Sequence, residues 1–314
     1  MKKIAILGHQ EVTKVVAEHL CDRDLSPAII SLSQTKAKDI KEYVNLKNYC
    51  KTKGLHFCEL SDYSLVSQKS MDFFLQEAFD IIFVVGWSRL IPESLLELTG
   101  PRFIGWHGGP FAPPRCRGRA VVNWSILNNE TDFFIYTMIL KAGVDDGDII
   151  DMSALSITAN ETAQSLYLKC AFRLAEMLTS YTSPDFNFKI IPQSLDTPTY
   201  LPKRTPVDGE IDWQLPCRVI ERLVRALSFP FPPAWSRIKD NLVLIKRVRA
   251  LDHEPNSKMK IGSIYHVTEN DDLVVVTGFG MLLVEEYENV EGILISRGDC
   301  FQEAEKKGNA TINY

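Results

Sequence analysis

Short apolar runs alternate with amphipathic segments along the first hundred residues, and this alternation limits the chain to few folds. The runs at 4–7, 26–32 and 80–86 are almost free of charged residues. Helical apolar spacing occurs between them, at 12–20 and 65–79. Because strands that alternate with helices build βαβ units, we predict an α/β fold. It would have a mostly parallel sheet with helices on both faces.

Further strands and helices continue this pattern. Strands are predicted at 56–60 and from 103 to 105, and a helical stretch within 36–54. Two apolar segments, 133–140 and 149–157, predict a hairpin. Further helices are predicted at 94–98, 120–127 and 162–178.

The character of the sequence changes after residue 183, where prolines become frequent. Beyond this stretch a helix is predicted at 215–227, and short strands at 241–249, 262–267, 273–277 and 281–287. We therefore predict an N-terminal domain at 1–185, a connector at 186–206 and a small β-rich, barrel-like subdomain at 207–314.

Composition narrows the class of protein. The 314 residues are 45% hydrophobic and carry a net charge of −5, as in an ordinary globular protein. An acidic total counts against a protein whose main task is to grip nucleic acid. The seven cysteines include no CxxC pair, so we expect reduced thiols and no metal site. No apolar run reaches the ~18 residues of a membrane span, and we expect a cytoplasmic protein.

Glycines follow the predicted strands at three places, namely Gly8, Gly86 and the segment around His107. In open α/β sheets, ligands bind beyond the carboxyl ends of the strands. The three segments therefore predict a site at one edge of the sheet, although tight turns alone would also explain the glycines.

Residues 103–124, FIGWHGGPFAPPRCRGRAVVNW, combine one histidine with a glycine- and proline-rich loop and three arginines. A histidine there suits general acid–base catalysis, or it is simply structural. Arg115, Arg117 and Arg119 suit phosphate or carboxylate recognition, or form a solvated cluster.

The turn at 144–148, Val-Asp-Asp-Gly-Asp, brings three carboxylates together. A calcium loop would need further ligands that this spacing lacks. The turn is otherwise a plain solvated turn, or one aspartate reaches back to orient His107.

Taken together, His107, Arg117-Gly118 and the 144–148 turn resemble the formyltransferases that use N10-formyltetrahydrofolate. Residues 85–92, VGWSRLIP, and the later segments 211–213, 225–227 and 230–235 are also similar to that family, so the resemblance covers nearly the whole chain. It implies a Rossmann-like domain followed by a barrel-like one. Methionyl-tRNA formyltransferases and sugar-nucleotide N-formyltransferases have the most similar layout, and 117–124 and 204–206 look more like the sugar enzymes.

The resemblance also implies roles for residues. His107 would handle the amine proton or help stabilise the tetrahedral oxyanion, and Asp145 would orient and charge-tune its imidazole. The family's asparagine, which donates a hydrogen bond to the developing oxyanion, is replaced by Gly105, and the loop from His107 to Arg117 is about two residues longer than usual. Losing one such donor costs about 10²–10³ in rate. A backbone N–H of the glycine-rich segment, the Trp106 indole or the Asn123 amide would replace it.

Binding residues follow from the same resemblance. We expect folate at Val85, Gly86, Trp87, Ser88, Arg89, Leu90 and Asp148. We expect the acceptor at Gly8, His9, Arg115, Arg117, Trp124 and Arg204.

The leading hypothesis is formylation of the amine of a nucleotide-linked amino sugar for surface glycans such as lipopolysaccharide. A homodimer through C-terminal strands is also expected. One alternative is a methionyl-tRNA formyltransferase whose lysines at 36, 38, 41, 47, 51 and 53 face RNA, although such a run is usually a solvated helix face. Another is a silent folate or nucleotide binder. A dinucleotide-dependent dehydrogenase is disfavoured because the segment after Gly8 lacks GxGxxG.

Overall fold

A computed structural model of the chain describes residues 2–37, 40, 42–100, 102–194, 197–251, 253–254 and 258–304. The backbone divides into two compact units. The N-terminal unit comprises Met1–Gly118, Asp132–Ser156 and Tyr167–Leu201, and the C-terminal unit comprises Arg119–Thr131, Ile157–Leu166 and Pro202–Tyr314. The predicted domain boundaries stay a prediction.

Within the described part of the N-terminal unit there are nine strands and four complete helices. The strands are β1 (Ile4–Leu7), β2 (Ala28–Leu32), β3 (Phe57–Leu60), β4 (Ile81–Val84), β5 (Phe103–Gly109), β6 (Arg117–Gly118), β7 (Asp132–Ile139), β8 (Asp148–Ser156) and β9 (Tyr200–Leu201) among the described residues. The helices are α1 (Glu11–Cys21), α2 (Leu46–Lys53), α3 (Gln68–Glu77) and α4 (Glu93–Thr99). A further helix, α6 (Ala163–Ser180), contributes residues to both units.

The main sheet has the order β3-β2-β1-β4-β5-β7-β8. The first five strands are parallel, and the pairs β5–β7 and β7–β8 are antiparallel. Every residue of β1, β2 and β4 is buried, as the apolar runs require of strands covered on both faces. The predicted α/β class with a mostly parallel sheet is thereby confirmed.

The glycine-rich segment after residue 105 is a strand, and its prediction as a loop was wrong. Residues 104–109 of β5 all pair with β7, from Ile104 opposite Ile139 to Gly109 opposite Phe134. Glycine disfavours strands because it has no side chain to pack, yet here tertiary pairing outweighs that preference. His107 therefore lies on a rigid strand directly opposite Tyr136.

The helical stretch predicted within 36–54 is α2, which occupies the last eight residues before Gly54. It begins only at Leu46, where the Asn45 side chain accepts the N–H of Lys47 at 3.1 Å. It ends at Gly54, whose φ of +68° suits a residue without Cβ.

Among the described residues, the C-terminal unit contains α5 (Val121–Leu127), a 3₁₀ turn at Pro206–Gly209, α7 (Cys217–Ala226) and five strands. These are β10 (Ala234–Ile238), β11 (Asn241–Leu251), β12 (Ile264–Val267), β13 (Leu273–Val276) and β14 (Met281–Asn289). They form an antiparallel sheet of order β10-β11-β14-β13-β12, which confirms the β-rich C-terminal part. Strand β10 was missed because three prolines just before it predict irregular chain.

A search of the described residues finds no helix with the length and apolar character of a membrane span.

Candidate functional site

His107 and Asp145 lie side by side in the N-terminal unit, although 38 positions separate them in the sequence. The Nδ1 atom of His107 is 3.5 Å from Oδ2 of Asp145, and their side chains are 11% and 22% exposed. The turn between β7 and β8 reaches the face of β5 that carries His107, which brings the carboxylate to the ring. This is the arrangement in which a carboxylate orients an imidazole and stabilises its charged form.

Two features fix the position of Asp145, namely its backbone conformation and a hydrogen bond from Gly118. Its φ of +50° is the left-handed conformation that aspartate tolerates better than most residues. Its Oδ2 also accepts the backbone N–H of Gly118 at 2.9 Å. One carboxylate oxygen therefore faces both β6 and the catalytic candidate on β5.

The second ring nitrogen of His107 faces a backbone carbonyl. Nε2 lies 2.9 Å from the carbonyl oxygen of Cys116, a residue with φ of +59°. Both ring nitrogens thus face acceptors, and a neutral imidazole can donate to only one of them. Before Nε2 exchanges a proton with a substrate, the Cys116 carbonyl has to give up this contact.

Tyr136 was missed by sequence reasoning, because its role depends on strand register. Its ring packs edge-on against His107 with centroids 5.7 Å apart. Burial, and then the negative charge of Asp145, raise the pKa of the Tyr136 phenol well above its usual value. The buried hydroxyl is without a hydrogen-bond partner in the described part of the chain, so it is a neutral donor beside the imidazole.

The place of the family's asparagine is filled by an apolar side chain. A Cβ on Gly105 would clash with Cδ2 of Leu140, the residue just after β7. Gly105 and Leu140 are therefore a matched pair, and no side chain at 105 fits unless Leu140 moves.

We expect Gly105→Asn to destabilise the protein by about 1–3 kcal/mol, the usual cost of overpacking a closed site. The double variant Gly105→Asn/Leu140→Ala should recover much of that loss, because it vacates the volume that the amide needs. Denaturant unfolding of both variants and of Leu140→Ala checks this. A single Gly105→Asn variant as stable as the unaltered protein would contradict the matched pair.

The structure gives no support to the other two predicted oxyanion donors. Asn123 belongs to the C-terminal unit, where its buried amide donates to the Ala226 carbonyl at 2.6 Å. Trp106 is half-buried on β5, but successive strand residues point to opposite faces, so its indole points away from the His107 side.

The predicted folate segment is accessible only in part. Val85 and Trp87 are buried, whereas Ser88, Arg89 and Leu90 are exposed, with Leu90 at 55%. These three residues are therefore the part of the predicted folate segment that a ligand can reach, and Leu90 offers it an apolar surface.

Asp146, in the 144–148 turn, gives a second indication for folate. Its Oδ1 is buried and lacks a hydrogen-bond partner among the described residues. A pterin carries amino and ring N–H donors, which match such an acceptor. Asp148 instead forms an ion pair with Lys141 at 2.8 Å.

Gly8 and Gly86 mark a close approach of two chain segments. A Cβ on Gly8 would clash with the Val85 carbonyl, and the N–H of His9 donates to the Gly86 carbonyl at 3.2 Å. The segments that follow β1 and β4 therefore converge as predicted. Their close approach explains why Gly8 carries no side chain.

His9 is not available to a substrate in this structure, against its prediction as a binding residue. The ring is fully buried among Tyr43, Tyr63 and Trp87. Burial lowers the pKa of His9 to about 4, so the ring is neutral near pH 7. A sequence cannot show this, because the three aromatic rings come from separate segments.

The predicted anion-binding arginines differ in environment. Arg115 is exposed and stacks on Phe111, with its guanidinium carbon 4.4 Å from the ring centroid. Arg117 is buried and donates through Nη2 to Oε1 of Gln193 at 2.5 Å.

Two predicted acceptor-binding residues lie in the C-terminal unit. Trp124 is buried and its indole N–H donates to the Pro202 carbonyl at 2.9 Å. The Arg204 guanidinium stacks on the Trp124 ring at 4.9 Å, and burial lowers its pKa. Trp124 therefore supports Arg204 in this unit.

Across the residues that the structure describes, no three His, Cys, Asp or Glu side chains are grouped so that they could hold an ion.

Comparison with known proteins matches nearly the whole chain to one family. Residues 2–182 match the model of the formyl transferase family, and residues 203–302 match the model of the formyl transferase C-terminal domain. Methionyl-tRNA formyltransferase of Caldanaerobacter subterraneus subsp. tengcongensis is 30% identical over 228 residues, which are 71% of this chain and 72% of that protein. Two other methionyl-tRNA formyltransferases are matched over 64% and 66% of their own length.

Solved structures share the fold. HypX from Aquifex aeolicus superimposes with a TM-score of 0.65 at 16% identity, over 91% of this chain and 46% of that chain. An N-formyltransferase from Helicobacter canadensis, in complex with folinic acid and dTDP-3-aminofucose, gives a TM-score of 0.62 at 16% identity. That match covers 90% of this chain and 99% of the other.

Proposed function

Because the chain belongs to the formyltransferase family, with N10-formyltetrahydrofolate as formyl donor, we propose that it formylates the primary amine of a nucleotide-linked amino sugar. The observation that carries the chemistry is the pair of His107 and Asp145, 3.5 Å apart on a rigid strand and a tight turn. The acceptor class rests on the charge distribution described below.

In the proposed reaction, the acceptor amine forms a bond to the formyl carbon, the bond from that carbon to N10 breaks, and N10 takes up a proton. His107 accepts through Nε2 the proton that the amine loses, and returns it to N10. Asp145 faces Nδ1, so its negative charge stabilises the intervening imidazolium.

The oxyanion needs a donor other than a side chain at 105. Strand β4 pairs with β5 only through Phe103 and Ile104, so the edge of residues 105–109 that faces away from β7 extends beyond β4. We infer that a backbone N–H on this edge supplies the hydrogen bond. A donor fixed in a sheet costs no reorganisation during the reaction.

The charges on the paired strands β11 and β14 favour a small acceptor over tRNA. Each basic side chain in the middle of β11 faces a glutamate of β14. The pairs are Lys246 with Glu288 at 2.9 Å, Arg247 with Glu285 at 3.2 Å, and Arg249 with Glu285 at 3.2 Å. RNA binding gains its free energy from cations that neutralise phosphates. A surface whose cations already face carboxylates, in a chain of net charge −5, is poorly suited to it.

Of the lysines considered for RNA contact, Lys36, Lys51 and Lys53 are exposed, whereas Lys47 is paired. Lys47 of α2 pairs with Glu59 at 3.0 Å. Lys38 and Lys41 lie outside the described residues. Methionyl-tRNA remains the second acceptor to test, because the sequence relatives named above are methionyl-tRNA formyltransferases.

The test uses purified protein, N10-formyltetrahydrofolate and a panel of UDP-, dTDP- and GDP-linked amino sugars. Tetrahydrofolate release is followed together with the mass of the sugar product. We expect one sugar to gain one formyl group. Formylation of methionyl-tRNA with a steep salt dependence, and of no sugar, would overturn the acceptor class. Folate binding without transfer to any acceptor would overturn the catalytic role.

A further inference from the structure

Residues 191–194 and 197–199 of the predicted connector belong to the N-terminal unit, and three of them contact segments of the candidate site. Ile191 and Ile149 exchange two backbone hydrogen bonds of 2.8 Å. Farther along, the Thr199 carbonyl accepts the N–H of Arg117 at 2.9 Å, and its hydroxyl accepts the N–H of Cys116 at 3.0 Å. Ile191 is thus hydrogen-bonded to β8, and Thr199 to Cys116 and to Arg117, the first residue of β6.

Gln193 lies between these two attachments and uses its side-chain amide on three partners. Nε2 donates to the carbonyl oxygens of Asp145 and Gly147, both at 2.8 Å. Oε1 accepts from Nη2 of Arg117 at 2.5 Å. One amide therefore links the turn that carries Asp145 to Arg117 of β6. The next residue of β6, Gly118, donates to the Asp145 carboxylate.

The chemistry of these partners requires an amide. Two carbonyl oxygens need two N–H donors, and a guanidinium needs an acceptor, which glutamine supplies together. A glutamate would bring its negative charge against both carbonyls, and a leucine of similar size would leave all three groups unpaired.

The 144–148 turn is one that additional hydrogen bonds would stabilise, and the bonds from Gln193 are called the clamp below. It holds three carboxylates in five residues, and Asp145 adopts a left-handed backbone. Repulsion among like charges favours an opened turn, in which Oδ2 moves away from His107. The two hydrogen bonds from Nε2 oppose this movement directly, because one of them ends on Asp145 itself.

We propose that Gln193 is a positioning residue that holds the Asp145 carboxylate beside His107, and that Arg117 in turn fixes the Gln193 amide. The proposal rests on the proposed function in one respect, that His107 and Asp145 act as the catalytic pair. Gln193 acts through Asp145 and contacts no reacting atom.

The kinetic test compares Gln193→Leu, Gln193→Glu and the exposed connector control Lys189→Gln. A displacement of about 1 Å in a catalytic group costs about 10²-fold, so we expect Gln193→Leu to lower kcat by that order. KM for the donor should rise as well, because Asp146, the candidate folate acceptor, belongs to the same turn. Lys189→Gln should behave as the unaltered protein does.

The pH dependence of Gln193→Glu gives a readout that simple loss of packing would not. A protonated carboxyl can donate one O–H to a turn carbonyl, whereas a carboxylate cannot. A glutamate side chain in water has a pKa of about 4.3, so the kcat of this variant relative to the unaltered protein should rise as the pH falls from about 8 to 5. A ratio that stays flat would contradict the clamp.

A structural readout separates this proposal from the proposed function. Long-range ¹H–¹⁵N spectra of histidine side chains, with the His107 signals assigned from His107→Gln, report the tautomer and surroundings of the ring without any turnover. We expect the His107 signals to shift in Gln193→Leu and not in Lys189→Gln. Unshifted signals with unchanged kcat would overturn the role of Gln193. Shifted signals in a protein that transfers no formyl group would support the clamp while the proposed function fails.

Discussion

Replacing His107 with glutamine is expected to lower kcat for formyl transfer by about 10²–10⁴-fold, the usual contribution of a positioned acid–base group. Glutamine can still donate to the Cys116 carbonyl, which His107 Nε2 faces at 2.9 Å, so the loop before β6 should keep its place. It cannot take the proton that the amine loses. Binding of the folate donor should persist, because the exposed Ser88–Leu90 segment follows a different strand.

Single-turnover release of tetrahydrofolate, together with calorimetric titration of the donor, separates the two effects. The matched control is His266→Ala, which removes an exposed histidine of β12. Turnover of His107→Gln within a few-fold of the unaltered protein would remove His107 from the chemistry. It would also leave the formyl-transfer site to be sought elsewhere in the chain.

Asp145→Asn carries the second large effect. Asparagine tolerates the left-handed φ of +50° and can still accept the Gly118 N–H, so the turn should survive. The charge that stabilises an imidazolium is lost. The equivalent change in a serine-protease triad costs about 10⁴ in kcat. The 3.5 Å separation here is longer than a hydrogen bond, so we expect a smaller loss, between about 10- and 10³-fold.

The control for this variant is Asp151→Asn, which neutralises an exposed carboxylate on β8. Steady-state kinetics with saturating donor should show a fall in kcat for Asp145→Asn and none for Asp151→Asn. A loss confined to KM would instead mean that Asp145 binds a substrate. Equal activity in both variants would contradict its role as the partner of His107.

Together the two variants decide between an enzyme and a silent binder. The missing asparagine at Gly105 was the main reason to consider a chain that binds folate without turnover. The structure explains that glycine by the packing of Leu140, which is a local change of volume rather than damage to the His107–Asp145 pair. Measurable activity that depends on both residues would show that a site with glycine at 105 still catalyses formyl transfer.

Much of the fold followed from periodicity. The strands β1, β2 and β4 were predicted because fully buried parallel strands are apolar at every position, a signal carried by each segment alone. The helix at 12–20 and the hairpin around the 144–148 turn were predicted from the spacing of apolar residues in their own segments. Errors occurred where pairing outweighed local preference. β5 continues through glycines to residue 109, and β10 follows directly on prolines.

For the site, the sequence allowed us to predict the candidate residues but not their contacts. His107 and Asp145 were singled out from residue type, spacing and family resemblance. Gln193 could not be predicted, because a polar residue in a proline-rich stretch is typical of a solvated connector. His9 and Asn123 gave the wrong signal, since both follow the motif pattern yet point into packed surroundings.

The sequence by itself determined the α/β class, the β-rich C-terminal part, the family and the two residues that carry the proposed chemistry. These depend on patterns within short segments or on their order along the chain. Only the tertiary structure decided which side chains meet. Leu140 fills the space beside Gly105, the Cys116 carbonyl faces His107, and Gln193 holds the turn of Asp145. Each of these contacts joins residues that are not neighbours in sequence, and packing in three dimensions, which no local pattern encodes, sets their distances.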